Sequence, residues 1–506
     1  MRDAVPRHRS GPRARRGGCG MRNDRAGRRD PASGRWRAGS ADLGPRVPAT
    51  GSGPPAESRG SDLGAPPGPR DIALEILRRV ETTGAFANLL LDSRLRGARL
   101  SAADRGLATE LTYGVLRWRG KLDWILAQVV DRPLARLHPV VLAVLRLGIY
   151  QVCCLDRVPA FAAVDQTVSL ARRAGAARSA GYVNAVLRAA ARRSFPEPDE
   201  AADPLGYWST VGSHPAWLAE RWLAWPGRAE GARLMAANNR TPPLTIVANP
   251  ARVTAERAAE LLRRHGVRAE PGALAPSAFR LRDVGNPADL PGFADGLWIP
   301  MDEGGTLPVR ALAPEPGQRV LDACAGGGGK TALLAAAVAP AGEVVALDKS
   351  PRALQRLRAA AERLGLSGVR ALLADARTAA SHGSFPRVLL DAPCTGLGTV
   401  RRRPEIKWRR RAADLPAAQR LQRELLAATA EAVAPGGVLV YSTCSLEPEE
   451  TDDVITAFLA ARSDFALDDL GAAWTALGAA NGGILRAWPH RHDTDGFFVA
   501  RLRRSR

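Results

Sequence analysis

The chain has 506 residues, 45% of them hydrophobic, and a formal net charge of +21 at pH 7. This length predicts two or three domains, and the basic surplus indicates a polyanionic partner, with nucleic acid as the first expectation. Arg146 interrupts the most apolar stretch (140–155), which excludes a membrane span, and six scattered cysteines without a C-x-x-C pair indicate free thiols in a cytoplasmic protein without a metal.

The first 69 residues are predicted to form a disordered basic tail. They are rich in Arg, Gly, Pro and Ser and show no hydrophobic periodicity. One interpretation is a non-specific RNA-binding arm. The other, which we favour, is a dispensable extension, with Met21 as one later start of translation.

Residues 70–195 are predicted to form a compact all-α domain. Apolar residues recur at helical spacing between Ile72 and Val80, and Ser101 with Asp104 predicts a helix start. Further helical stripes lie at 107–116, 122–130, 140–154 and 162–171. Residues 196–300 are predicted to add a helical linker and a small α+β subdomain of strand, helix and strand.

From residue 301 to residue 506 short strands alternate with helices, which predicts a parallel sheet in a Rossmann-like domain. Five apolar runs in this part end on a polar side chain. In open α/β sheets ligands bind beyond the carboxyl ends of the strands, so these side chains are expected to line one crevice. A single such Asp is often only the N-cap of the next helix, but capping does not account for polar residues at the ends of five successive strands. The five end residues are Asp322, Asp348, Asp375, Asp391 and Cys444.

A glycine-rich segment, 325–330, follows the first run and precedes a helix, so bare backbone N–H groups can approach a ligand there. Cys324 stands where a Walker P-loop needs its first glycine, and Thr331 stands where a dinucleotide fingerprint needs its last. Asp348 is placed to accept hydrogen bonds from ribose hydroxyls, and Asp375 to meet an adenine amino group. The sequence therefore favours an adenosine ligand without a phosphate.

Cys394 and Cys444 follow the fourth and fifth runs, and the topology brings them together. A buried cysteine is most often a small apolar residue. Two beside an acid in a glycine-lined crevice instead favour covalent attack on a carbon, such as carbon 6 of a pyrimidine. Asp391 is then expected to stabilise charge at the ring nitrogen N3.

A basic segment, 401–411, lies between the two thiols. It is either a solvated loop or an RNA strand path, because Trp408 stands among cations. Arg403, Lys407 and Trp408 are predicted to bind RNA. The chain has only four lysines, so a lysine retained at 407 or 330 indicates a specific role.

Motifs along residues 70–503 resemble those of a known family. Five resemble the bacterial RNA cytosine-5 methyltransferases, and three helical segments resemble the NusB fold. The combination is similar to the RsmB/Sun (Fmu) family of 16S rRNA cytosine-5 methyltransferases. The methyltransferase motifs lie at 322–331, 391–396, 403–408, 441–445 and 495–498, and the helical segments at 113–117, 145–151 and 182–188.

The resemblance implies S-adenosyl-L-methionine as methyl donor, 16S rRNA as substrate, Cys444 as nucleophile, and Cys394 as the residue that assists breakdown of the adduct. We expect a monomer. Two departures stand out: Gly326-Gly327 replaces the usual Ala-Pro, and Met301 replaces a Gln before the sheet. The residues implied to bind the methyl donor are Cys324, Ala325, Gly326, Gly327, Gly328, Gly329, Lys330, Asp348, Asp375 and Asp391.

Other functions remain open at this point. A P-loop ATPase acting on RNA would use Lys330 and Thr331 but leaves both cysteines unexplained. A non-catalytic RNA-binding protein would not need Cys394, Cys444 and the acids intact. An enzyme of the same fold with another RNA target is the third alternative.

Overall fold

The computed structural model describes residues 66–506, apart from residue 157 and residues 472–473, 475–476 and 478–481. The predicted basic tail thus lies outside the described residues as far as residue 65. The first helix begins at Pro69. No helix in the described part of the chain is long and apolar enough to cross a bilayer.

Six helices pack around one apolar core at the start of the described chain. Their bounds are α1 Pro69–Thr83, α2 Ala87–Arg96, α3 Ala102–Ala127, α4 Pro139–Cys154, α5 Ala160–Ala171 and α6 Ala180–Arg192. The predicted stripes at 107–116 and 122–130 are parts of one helix, α3. As expected, α3 begins after Ser101, whose hydroxyl accepts the Asp104 N–H at 3.1 Å.

Three linker helices and a small four-stranded sheet follow. Their bounds are α7 Pro204–Ser209, α8 Ala216–Ala224, α9 Arg228–Asn238, β1 Leu244–Ala248, α10 Ala255–Arg264, β2 Arg268–Pro271, β3 Ala278–Arg282 and β4 Trp298–Pro300. The sheet is antiparallel in the order β2-β3-β1-β4. The predicted strand, helix and strand are present, but β2 and β4 were missed. The first is polar and mostly exposed, and the second is apolar but has only three residues, too few to show a strand period.

The C-terminal part is a mixed sheet flanked by helices. Its elements are α11 Leu307–Leu312, β5 Arg319–Asp322, α12 Gly329–Val338, β6 Glu343–Asp348, α13 Pro351–Leu364, β7 Val369–Leu373, β8 Phe385–Asp391, α14 Glu405–Arg409, α15 Asp414–Ala430, β9 Val433–Thr443, α16 Asp452–Ala461, β10 Phe465–Leu467, β11 Ile484–Ala487, α17 Pro489–His492 and β12 Phe497–Arg504. The strand order is β10-β12-β9-β8-β5-β6-β7, with β11 on β12.

Five of these strands, β9-β8-β5-β6-β7, are parallel, whereas β10, β11 and β12 are antiparallel to their neighbours. The prediction of a purely parallel sheet is therefore wrong for the last three strands. The connection from β11 to β12, residues 488–496, is shorter than the dozen or more residues that a parallel crossover needs, and these two strands pair antiparallel.

The strand order reverses at β5. The chain places β6 and β7 on one side of β5, and then β8 and β9 on the other. The crevice beyond β5 and β8 at such a reversal is where open α/β sheets bind ligands. Four of the predicted end residues lie at this edge: Asp322, Asp348, Asp391 and Cys444.

Candidate active site

The glycine-rich segment forms the turn between β5 and α12. Gly326 and Gly328 have φ of +55° and +85°, a region that side chains with a Cβ disfavour. A Cβ at Gly326 would meet no atom within 4 Å, so space beside the loop is open. Gly328 precedes the first residue of α12, which leaves the N–H groups of the first helical turn available to a ligand.

Asp348 at the end of β6 fixes this loop. Its carboxylate accepts the Gly326 N–H at 2.9 Å and the Ser350 N–H at 2.7 Å. Each oxygen keeps capacity for a further bond, because a carboxylate oxygen accepts two. Asp348 is thus held at the crevice, where the sequence predicts it.

Asp375 lies two residues beyond the end of β7, which stops at Leu373. Its carboxylate caps a short 3₁₀ turn by accepting the Arg377 N–H at 2.9 Å. This is the capping role that a lone Asp often has. Asp375 still lies close enough to Cys324 for its charge to contribute to raising the pKa of that thiol, although burial is the main cause. Its contact with adenine stays a prediction.

Lys330 and Asp391 form an ion pair between the loop and the end of β8. The Nζ–Oδ2 distance is 2.6 Å, and Asp391 Oδ1 accepts the Ser442 hydroxyl at 2.8 Å. Burial alone would lower the pKa of Lys330, but the attraction of Asp391 outweighs it, so the pKa is raised. Lys330 therefore presents a permanent positive charge in the crevice.

The thiols of Cys394 and Cys444, which the sequence predicts to be neighbours, lie in contact. Cys394 Sγ and Cys444 Sγ are 3.3 Å apart, within hydrogen-bond reach for sulfur. The hydrogen bond from Cys394 lowers the pKa of Cys444, with help from Lys330 and against the effect of burial. The same bond and burial raise the pKa of Cys394. The two shifts run in opposite directions, so Cys444 is the more acidic thiol of the pair and Cys394 the better hydrogen-bond donor.

A buried carboxylate that the sequence reasoning missed supports the Cys394 loop. Glu450 is fully buried; its Oε1 accepts the Thr395 N–H at 2.8 Å and the Gln422 amide at 3.0 Å, and its other oxygen accepts the Thr395 hydroxyl. Its position in an acidic stretch, 447–450, is typical of a solvated turn. No local pattern marked it as an interior group.

Asp322 is more buried than its role as a strand end implied. Its Oδ2 accepts the Thr331 hydroxyl at 2.7 Å, and its Oδ1 is buried with no hydrogen-bond partner among the described residues. Burial raises the pKa of Asp322 to about 7, although the Thr331 hydrogen bond opposes this.

Arg402 joins the segment before the sheet to the C-terminal motif. Its guanidinium donates to Asp302 at 2.8 Å and to Asp495 at 3.0 Å. Burial raises the pKa of Asp495 to about 6, and the charge of Arg402 opposes that rise. The departure at Met301 therefore leaves the neighbouring Asp302 in a buried ion-pair network.

The structure corrects one predicted RNA contact. Lys407 is fully buried, and its Nζ donates to the carbonyl of Arg117 at 2.9 Å and to Asn239 Oδ1 at 3.1 Å. The prediction that Lys407 binds RNA is wrong, because the helical domain packs over α14 and covers the side chain.

Trp408 also faces the helical domain, and its indole N–H donates a hydrogen bond to the carbonyl of Leu116 at 2.7 Å. Arg403 is half-buried and lies 5.4 Å from the ring centre of Phe86, and its charge helps to lower the pKa of Cys444. RNA binding by Arg403 and Trp408 stays a prediction.

Three segments match known families. Residues 68–192 match the NusB family, and residues 214–286 match the ferredoxin-like domain of the RsmF/B-like methyltransferases. Residues 309–503 match the family described as 16S rRNA methyltransferase RsmB/F. The predicted fold class of NusB-like domain, small α+β subdomain and Rossmann-like methyltransferase domain is confirmed.

Similar proteins match this chain over most of their length. The "Probable ribosomal RNA small subunit methyltransferase B" of Bacillus subtilis is 35% identical over 441 residues, which cover 86% of this chain and 98% of the relative. The ribosomal RNA small subunit methyltransferase B of Pseudomonas putida is 36% identical over 439 residues, with the same coverage. The crystal structure of PH0851 superposes with a TM-score of 0.75 at 28% identity, covering 87% of this chain and all of that one.

Proposed function

Because the chain belongs to the 16S rRNA methyltransferase RsmB/F family and is thus an RNA methyltransferase, we propose that it methylates carbon 5 of a cytosine in 16S rRNA. S-adenosyl-L-methionine is the proposed methyl donor, and a covalent cysteine adduct is the proposed intermediate. The observation that carries the proposal is the polarised thiol pair, 3.3 Å apart, beside the Lys330–Asp391 ion pair. Transfer to an oxygen or to an exocyclic amine has no use for such a pair.

The crevice fits an adenosine-containing donor. Open space lies beside Gly326, and Asp348 offers acceptors for ribose hydroxyls. The residues proposed to hold it are those of segment 324–330 with Asp348, Asp375 and Asp391. When bound, S-adenosyl-L-methionine supplies an electrophilic methyl group.

Cys444 starts the proposed reaction. Its thiolate attacks carbon 6 of the cytosine, and the electron pair of the C5–C6 double bond moves toward N3. The Lys330–Asp391 pair stabilises this charge by a hydrogen bond or proton at N3. Carbon 5 thereby becomes nucleophilic enough to accept the methyl group.

Cys394 completes the proposed reaction. Once Cys444 is a thioether, it no longer carries the negative charge that raises the pKa of Cys394. Cys394 then loses its proton to solvent more easily, and the resulting thiolate takes the hydrogen of carbon 5 as a proton. The electron pair of the C5–H bond re-forms the C5–C6 double bond, the C6–S bond breaks, and Cys444 leaves as the thiolate. The alternation of charge between the two sulfurs explains why the site holds two thiols.

The experiment that tests this function is methylation of 16S rRNA with a methyl-labelled donor, followed by nucleoside analysis. We expect the label in 5-methylcytidine with the wild type and none with Cys444→Ala. Cys153→Ala, which removes an exposed thiol in the helical domain, is the matched control and should keep activity. Label in another nucleoside, or none despite donor binding by the wild type, would reject the proposal.

A further inference from the structure

A groove of about 500 Å³ lies between α5 and α6, on the helical domain. One wall carries residues of α5 at intervals of three to four, and the other carries residues of α6 at the same spacing, so one face of each helix lines it. The groove is lined by Phe161, Val164, Asp165 and Val168 from α5, by Arg172 next to it, and by Gly181, Asn184, Arg188 and Arg192 from α6.

Phe161 stands at one end of this groove with 79% of its surface exposed. It is the most exposed of the large apolar residues in the described chain. Its ring covers no part of the core, so packing does not account for it. Exposed aromatic rings beside cations are the platforms on which nucleic-acid bases stack.

The charge of the groove is positive. Three arginines, Arg172, Arg188 and Arg192, face one acid, Asp165. None of these arginines forms an ion pair with a described residue, and Arg188 instead donates to Asn184 Oδ1 at 3.0 Å. Some other arginines of the helical domain are paired with acids, as Arg146 is with Asp123 and Glu81. Unpaired guanidinium groups beside an apolar floor are suited to phosphates.

We propose that this groove, between α5 and α6, binds a single-stranded segment of the RNA substrate, with a base stacked on Phe161 and phosphates on Arg188 and Arg192. The inference rests on the proposed function, since it takes the RNA to be the substrate. Residues 161 and 172 are eleven positions apart, so the groove is roughly 16 Å long, enough for about five stacked nucleotides.

The test uses the full chain and a labelled fragment of 16S rRNA, with affinity measured by fluorescence anisotropy at several salt concentrations. Gly181 offers a direct way to fill the groove. A Cβ there would meet no atom within 4 Å, and its helical backbone accepts any side chain, so Gly181→Trp and Gly181→Glu obstruct the groove without strain. Phe161→Ala and Arg188→Glu remove the two proposed contacts.

Phe161→Ala should weaken RNA binding by at least about fivefold, the loss expected for one stacked base. Gly181→Glu and Arg188→Glu should weaken it more and reduce the salt dependence by about one counterion per lost phosphate contact. Arg78→Glu makes the same charge change on α1, outside this groove, and serves as the control. Binding of S-adenosyl-L-methionine and the melting temperature should stay at wild-type values in all of them.

Wild-type RNA affinity in Gly181→Trp and Gly181→Glu would overturn the inference, as expected if the groove holds a protein instead. Equal losses in Arg78→Glu and Arg188→Glu would also overturn it, because they would indicate general charge rather than a site. Either result leaves the proposed function intact, since methylation by the wild type is scored separately.

Discussion

Replacement of Lys407 by arginine distinguishes a buried structural contact from an RNA contact. Burial, reinforced by the neighbouring Arg117, holds the pKa of Lys407 well below its usual range. A lysine in this position can lose its proton, whereas an arginine stays charged. An RNA-binding lysine tolerates arginine, but a buried one does not.

The expected loss of folding stability follows from the contacts of Lys407. Lys407→Met removes two hydrogen bonds; the Arg117 carbonyl keeps a bond from Ser213 at 2.9 Å, while Asn239 Oδ1 loses its donor. One orphaned acceptor costs about 1–3 kcal/mol, partly offset because no amine is buried. Lys407→Arg buries a charge beside Arg117 without a partner, which costs several kcal/mol.

Thermal unfolding gives the readout. At about 1 °C per kcal/mol for a chain of this size, the melting temperature should fall by about 1–2 °C in Lys407→Met and by roughly 3 °C or more in Lys407→Arg. Lys121→Arg, at a partly exposed lysine that pairs with Glu197, should change it little. RNA affinity below the transition should stay within about twofold of wild type. A stable Lys407→Arg variant, or one that is folded but weak in RNA binding, would refute the reasoning.

Three further predictions concern the crevice. Because the hydrogen bond from Cys394 lowers the pKa of Cys444, alkylation of Cys444 should begin at a lower pH than for an ordinary thiol. Cys394→Ala should shift the pH dependence of this alkylation to higher pH, and an unshifted pH dependence would contradict the role of Cys394. Asp348→Ala should weaken binding of S-adenosyl-L-methionine about tenfold by calorimetry, through loss of ribose hydrogen bonds and of the Gly326 contact, and unchanged affinity would count against the site. Burial raises the pKa of Asp322 in the folded state to about 7, so the stability that the protonated group contributes is present below pH 4 and lost as the pH rises through 7. The melting temperature of Asp322→Asn should therefore fall less between pH 5 and pH 8 than that of the wild type. An equal fall in both proteins would contradict the buried position of Asp322.

Much of the fold was predictable because it follows from local patterns. Helical periodicity placed the helices of the first domain, and the polar residues after apolar runs placed Asp348, Asp391 and Cys444 at one edge of the sheet. The proximity of Cys394 and Cys444 followed from topology alone. These features depend on residue order and on the handedness of strand connections, both of which a sequence carries.

The rest depended on contacts between distant segments. Lys407 lies in a run of arginines that resembles a solvated loop, and only the packing of the helical domain on α14 buries it. Glu450 shows the same limit, since Thr395 and Gln422 reach it from separate elements. The antiparallel direction of β12 was not predicted, because hydrophobic periodicity carries no information on strand direction.

The central claim is the division of roles between the two thiols, and covalent trapping tests it most directly. Each variant is incubated with 16S rRNA and S-adenosyl-L-methionine and then run on a denaturing gel. If Cys444 attacks carbon 6, Cys394→Ala still attacks and methylates but releases slowly, so a nuclease-sensitive band of protein joined to RNA accumulates, while Cys444→Ala gives none. A band from Cys444→Ala and none from Cys394→Ala would contradict the account and make Cys394 the nucleophile.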